Sequence, residues 1–174
     1  LRALAEKAGV RPRHLRLGVN PFDSVRKRMS VVAELEGRPG RFLFAKGAPL
    51  EILERSDRIL YRGSAIPLDD SHRARLKGEV DALAGRGLRI LGLAYREVPE
   101  SGEAPPSGET ELVFLGLAAM SDPVRPAVKA AIQSCHRAGI RVLMLTGDYP
   151  VTAAVIARQI GIGDAGSRVV TGAE

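Results

Sequence analysis

Leu112-Val113-Phe114-Leu115-Gly116-Leu117-Ala118-Ala119-Met120 is a run of nine residues with no polar side chain, and Ile140-Arg141-Val142-Leu143-Met144-Leu145 follows it downstream. A membrane-spanning helix needs about 20 apolar residues, so neither run spans a bilayer, and both read as buried strands. Between them, Val124 to Ala138 sets Val128, Ala131, Ile132 and Cys135 at helical spacing, and Pro150 to Ile160 predicts a second helix. Apolar strands alternating with amphipathic helices predict a parallel α/β sheet covered on both faces.

Upstream the pattern changes. Leu1 to Ala8 reads as the end of a helix closed by Gly9, and a loop rich in Pro and Arg leads to Asn20-Pro21-Phe22-Asp23. From Arg28 the residues alternate, with Met29, Val31, Ala33 and Leu35 expected on the core face and Arg28, Ser30, Glu34 and Glu36 mostly opposite. Gly37-Arg38-Pro39-Gly40 supplies a turn and Arg41 to Ala45 a returning strand, so Lys46-Gly47 stands at a strand exit. Pro49 opens a short helix to Arg55, a helix follows Asp69-Asp70 as far as Ala84, and Leu88 to Tyr95 forms a strand. Pro99 to Gly108, rich in Pro, Gly, Ser and Glu, reads as a connector. The expected organisation is therefore α/β overall: an α+β domain with an antiparallel sheet over residues 1–108, then a parallel α/β domain over 109–174.

Composition narrows the function classes. The chain has 174 residues, 45% hydrophobic, 26% charged and 4% aromatic, which excludes disordered, collagen-like and disulfide-scaffold proteins. The formal charge is +6, and only Lys7, Lys27, Lys46, Lys77 and Lys129 among the 26 basic residues are lysines. That balance favours anionic partners without choosing among them. Arg11, Arg13, Arg16, Arg26, Lys27 and Arg28 crowd the front, where a solvated basic face and an anion-attracting one both remain open. A single cysteine, Cys135, excludes an internal disulfide. Without an initiator Met, a signal-peptide pattern or a prenylation ending, the chain is expected to be a piece of a longer one.

Ligands of open parallel sheets bind outside the carboxyl ends of the strands. Ser121-Asp122-Pro123-Val124-Arg125 and Thr146-Gly147-Asp148 occupy those ends here. Asp122 before Pro123 is also an ordinary helix start. Thr146, Gly147 and Asp148 combine a hydroxyl, a glycine and a helix N-terminus, a cradle for a phosphoryl group, and Asp148 is also placed to cap that helix. In the first portion, Phe22 either plugs the core or offers a stacking plate for a planar base, with Lys27 or Lys46 near the ring or phosphates. Gly47 would let a ligand lie against backbone. Arg89 reaches a phosphate or faces solvent. Gly161-Ile162-Gly163-Asp164-Ala165-Gly166 matches a dinucleotide fingerprint but follows a helix, and Ser24-Val25-Arg26-Lys27 lacks the companion motifs of an acyl-enzyme. His14, His72, His136 and Cys135 form no metal-ligand spacing.

In order, these segments resemble the cytoplasmic part of a P-type cation-transporting ATPase, most closely the calcium-pump-like branch, over nearly the whole chain. Pro21-Phe22-Asp23-Ser24-Val25-Arg26-Lys27-Arg28-Met29 is similar to the nucleotide-domain segment in which Phe stacks on adenine and Lys lines the pocket. Lys46-Gly47-Ala48-Pro49 resembles K-G-A-P-E, with Leu50 in place of the acidic residue, and Gly87-Leu88-Arg89-Ile90-Leu91 resembles the strand whose Arg meets the phosphates. Asp122-Pro123-Val124-Arg125 resembles D-P-P-R, with Val124 for the second proline, and Ile140 to Asp148 resembles the T-G-D strand and loop.

The resemblance implies an ATP-binding nucleotide domain and part of a haloacid-dehalogenase-like phosphorylation domain. The implied ATP contacts are Phe22, Lys27, Met29, Lys46, Gly47, Arg89, Leu91, Asp122, Thr146, Gly147 and Asp148. No D-K-T-G-T or G-D-G-x-N-D segment occurs in the sequence. The phosphorylated aspartate and the magnesium site are thus expected beyond its ends, and no catalytic or metal-binding residue is expected within it. Implied partners are ATP with Mg2+ and the rest of the same pump, namely its phosphorylation, actuator and transmembrane parts. The chain is expected to be a cytoplasmic domain of a membrane protein that binds ATP without turning it over. Two rivals are a haloacid-dehalogenase-like phosphatase fragment, which lacks its nucleophilic aspartate here, and a nucleic-acid-binding basic module, whose partner is not expected.

Overall fold

The computed structural model describes residues 2–10, 13–99, 108–120, 124–148, 150–164 and 166–171. In chain order the elements are α1 (Arg2–Lys7), β1 (His14–Asp23), β2 (Arg28–Leu35), β3 (Arg38–Gly47), α2 (Pro49–Glu54), β4 (Ser56–Tyr61), β5 (Ser64–Pro67), α3 (Asp70–Ala84), β6 (Arg89–Val98), β7 (Leu112–Met120), α4 (Pro126–Arg137) and α5 (Pro150–Ile160). The fold is mixed α/β. Among the described residues seven strands make one sheet in the order β1-β2-β3-β6-β7-β4-β5. β1–β2, β2–β3, β3–β6 and β4–β5 pair antiparallel, whereas β4 and β7 run parallel.

Two compact units divide the chain. The first holds residues 1–77 and 91–118, and the second holds 78–90 and 119–174. The first unit's core gathers Val32, Leu43 and Ala45 from β2 and β3, Ile52 and Leu53 from α2, Ile59, Leu68, Leu76, Ala94, and Leu112 and Phe114 from β7. Full burial of its Val, Leu, Ile and Phe side chains contributes about 1.5–3 kcal/mol each.

Three strands are not anticipated by the pattern. β1 replaces the expected loop before Asn20; it pairs with β2 alone, and the register slips between Asn20 and Asp23 around Pro21. An edge strand tolerates a proline at such an irregularity because no ladder bond is lost. β4 and β5 are joined by Arg62-Gly63, both with positive φ (49° and 85°), a two-residue turn that suits hairpin twist.

The core face of β2 is also the reverse of expectation. Arg28, Ser30 and Val32 are buried while Met29 and Val31 stay half-buried, and only Ala33 of the expected face is fully enclosed. A polar core face survives only where its groups find partners; Glu109 supplies them, as described below.

The expected parallel pairing of Leu112–Met120 with Ile140–Leu145 is not found. β7 lies beside β4 instead, in register Ser56↔Leu112 and Ile59↔Phe114. Residues 140–145 form no strand, and Leu143 and Leu145 are 76% and 96% exposed. A strand needs a neighbour to take its N–H and C=O groups, and among the described residues none pairs with this segment. The two expected helices are present in the second unit. α5 buries Thr152, Ala153 and Ile160, and Thr152 Oγ1 donates to Leu88 O at 3.1 Å. α4 has no fully buried residue; Val128, Ile132 and Cys135 are half-buried and Ala131 is exposed.

Candidate functional site

The turn between β1 and β2 is built from a side chain folding back on its own backbone. Asp23 Oδ1 accepts the N–H groups of Val25 (2.9 Å) and Arg26 (2.8 Å), and Asp23 O accepts the N–H of Lys27 at 2.7 Å. Asp commonly stabilises turns this way. The bond from the Arg26 N–H holds the Asp23 carboxyl below its ordinary range against the opposing effect of desolvation, with the Val25 N–H and the Arg26 charge adding to it. Lys27 closes the turn in the left-handed region, φ 53°, a conformation that costs a residue with a side chain about 1 kcal/mol or more.

β3 returns directly against this turn. Lys27 O accepts the N–H of Ala48 at 2.9 Å, and Arg28 stands opposite Gly47. A Cβ on Gly47 would lie 2.5 Å from both Lys27 O and Arg28 Cβ. The Cβ position at Gly47 is thus taken up by the turn's own backbone.

One residue along, Met29 faces Lys46 across β2 and β3, and Lys46 faces Leu93 across β3 and β6. Alternate residues of a strand share a face, so Met29, Lys46, Leu93 and Leu91 make one row on the side of the sheet away from Ser30, Ala45 and Ala94. Lys46, Met29 and Leu91 are half-buried and Lys27 is exposed. Phe22 is 63% exposed and takes no part in the buried core. Val25, in the same turn, is 85% exposed.

Of the expected site residues, the structure brings Lys27, Met29, Lys46, Gly47 and Leu91 together at one end of the first unit's sheet, with Phe22 on the adjoining strand. Arg89 is exposed at the start of β6 and belongs to the second unit, as do Thr146, Gly147 and Asp148. There Thr146 Oγ1 donates to Asp148 Oδ2 at 3.0 Å and accepts the Asp148 N–H at 3.1 Å, so the loop is closed by its own side chains. Asp122 lies outside the described residues. Among those residues no group of three or more His, Cys, Asp or Glu is arranged to hold a metal. No described helix is long and apolar enough to cross a membrane.

Glu109 is the residue that sequence reasoning overlooks. It is 2% exposed and sits just ahead of β7, yet its carboxylate accepts from four side chains of the β1–β2 hairpin: Arg28 Nε (2.6 Å), Arg26 Nη1 (2.8 Å), Ser30 Oγ (2.8 Å) and Asn20 Nδ2 (3.2 Å). Burial by itself would push this carboxyl up; bonds from Ser30, Arg26 and Arg28, with the Arg28 charge, outweigh it and hold the group below its ordinary value. The available signal was the alternation of Arg28 and Ser30 with Val32, a polar face that calls for a buried counter-charge.

A cavity of about 510 Å³ also borders Arg28 and Glu109, together with Arg55, Asp57 and Arg73. Its cations are engaged: Arg73 donates to Leu53 O and Ser56 O, Arg55 pairs with Glu51, and Arg28 with Glu109. None of the expected nucleotide contacts among the described residues lines it.

Residues 1–127 match the family model described as P-type ATPase, cytoplasmic domain N. The chain belongs to the P-type ATPase family. This P-type ATPase chain is 38% identical over 154 residues to a calcium-transporting ATPase of Bacillus subtilis (strain 168), an overlap covering 87% of the chain and 17% of that protein. It is 39% identical over 170 residues to the sodium/potassium-transporting ATPase subunit alpha-A of Artemia franciscana, covering 92% and 17%. Calcium-transporting ATPase 1 of Lactococcus lactis subsp. lactis (strain IL1403) is 34% identical over 166 residues, covering 95% and 19%. The chain therefore spans less than a fifth of these relatives' length.

Proposed function

We propose that this chain is the ATP-binding portion of a P-type cation pump, holding ATP for transfer of its γ-phosphate to an aspartate elsewhere in the pump. One observation carries the reading: Phe22 and Lys27, both exposed, lie in the strand end and turn that lead into β2, where Met29 shares a sheet face with Lys46 and Leu91. An aromatic plate suits a purine, and the apolar members of the row suit its edge. Lys46, half-buried, is screened less by salt than a fully exposed cation and so attracts phosphate more strongly. Phosphoryl transfer rests mainly on positioning and charge neutralisation, for which Lys27, Lys46, Arg89 and the Thr146–Asp148 loop are the chain's own means. The calcium and sodium/potassium transport named for the relatives supports ATP-driven cation movement by the whole pump, with Mg2+ accompanying ATP.

In this reading residues 1–108 form the nucleotide domain, while 109–174 contribute part of a haloacid-dehalogenase-like phosphorylation domain set on the cytoplasmic side of a membrane. The motif order and the connector before Gly108 support that division, although Glu109 and β7 are built into the first unit's sheet.

The test is an ATP titration followed by amide chemical shifts in the wild-type chain, Phe22→Ala and Lys46→Ala. Each substitution is expected to weaken binding, Phe22→Ala by about 1–3 kcal/mol as for loss of one base–aromatic stack. Binding unchanged in both variants would overturn the assignment.

A further inference from the structure

We infer that Glu109 is a positioning residue for nucleotide binding: it sets the β1–β2 turn in the shape that presents Phe22 and Lys27. This rests on the ATP reading above. Glu109 lies 79 to 89 residues away in sequence from the side chains it binds, so nothing local to the turn demands it. Its reach is specific to the turn and its two flanks. Asn20 stands two residues before Phe22, Arg26 one residue before Lys27, and Arg28 and Ser30 begin the outgoing strand.

Arg26 is the lever. With Nη1 on Glu109, its Nη2 donates to Asn20 Oδ1 at 3.0 Å and to Pro21 O at 2.6 Å. One guanidinium thus spans the strand segment leading into Phe22 and the buried anion beneath it. Arg28 adds a second link, donating from Nη1 to Arg26 O at 2.9 Å while Nε holds Glu109. The turn itself carries strain at Lys27 and leaves Phe22 and Val25 in solvent. Packing therefore does little to fix it, and charge-assisted bonds to the buried Glu109 carboxylate add to the local Asp23 bonds in supplying the rigidity. A ring held in place binds a base without first losing its own freedom, which is how preorganisation raises affinity.

The experiment compares the full chain with Glu109→Gln and with Arg26→Gln, reading ATP affinity and 15N relaxation of residues 22–27 well below each variant's melting temperature. Arg26 is only partly buried, so Arg26→Gln tests the lever even where Glu109→Gln does not fold. Expected are increased motion confined to 22–27 and ATP binding weaker by about ten-fold in each folded variant, as for loss of charge-assisted bonds. In a double-mutant cycle, Arg26→Gln on a Phe22→Ala background should add little, because the lever acts through that ring. A purely structural role would lower the melting temperature and leave affinity and turn motion of the folded state as in wild type, and that result overturns the inference alone. A wild-type chain showing no ATP-induced shifts would sink the ATP reading, and the inference with it.

Discussion

Glu109 keeps its charge in a place where an isolated carboxylate would take up a proton. Ser30 and the two arginines decide the matter, and removing one member of such a buried set typically costs about 3–5 kcal/mol because the others are stranded. The sign of the pH effect follows. With its folded pKa depressed below the ordinary value of 4.5, Glu109 contributes stability fully above that value and loses it as pH falls through the lower folded value. Urea melts between pH 6 and 3 should show stability declining on the acid side, and Glu109→Gln should be less stable at pH 6 with a shallower decline. A decline equally steep in the variant would assign the acid sensitivity to other carboxylates. The same residue explains what sequence reading misjudged in β2. Hydropathy assigns Met29 and Val31 to the core and Arg28 and Ser30 to solvent, because it weighs side chains singly and cannot see a partner about 80 positions away. Phe22, Lys27 and Lys46 were legible as candidates because their chemistry is carried by the residues themselves.

Among the elements, α2 shows how a six-residue helix persists in this sheet. Pro49 at its first turn needs no hydrogen-bond partner, and Ile52 and Leu53 are fully enclosed. Its carboxyl end is finished from outside: Arg73 of α3 donates Nη1 to Leu53 O at 2.7 Å and Nη2 to Ser56 O at 2.6 Å. Arg73→Met keeps much of the side-chain volume and removes both bonds, leaving part-buried carbonyls unsatisfied at about 1–3 kcal/mol. Denaturant midpoints of the two proteins measure this, and equal midpoints would show that water serves those carbonyls as well. Elements carried by local signals, such as the β2–β3 hairpin, α3 after Asp70 and the helices opened by proline, were readable in advance. β1 and β4 were not: β1 is an edge strand whose apolar Leu15, Leu17 and Val19 stay exposed, and β4 is short and defined mainly by the neighbours it pairs with.

At the scale of the whole molecule, a strongly apolar segment has no strand to join among the described residues. Residues 140–145 carry the hydropathy of a buried strand, and the sequence reading was sound as to composition. A ladder, however, requires a second strand, and β7, the expected neighbour, is committed to β4. Hydrogen exchange separates the two situations. Amides of β3 from Phe42 to Lys46 lie between β2 and β6 in a ladder on both sides, and they should be protected to near the global unfolding free energy, by a factor of about 10³ or more. Amides 141–145, outside any ladder among the described residues, should exchange within a few-fold of the rate for an unstructured chain. Should 141–145 prove as slow as β3 in the isolated chain, the segment is a paired strand and the sheet described above is incomplete. In a longer P-type ATPase chain containing this segment the same five amides offer a sharper comparison, since slow exchange there and fast exchange here would mean that their strand partner is supplied by another part of that chain.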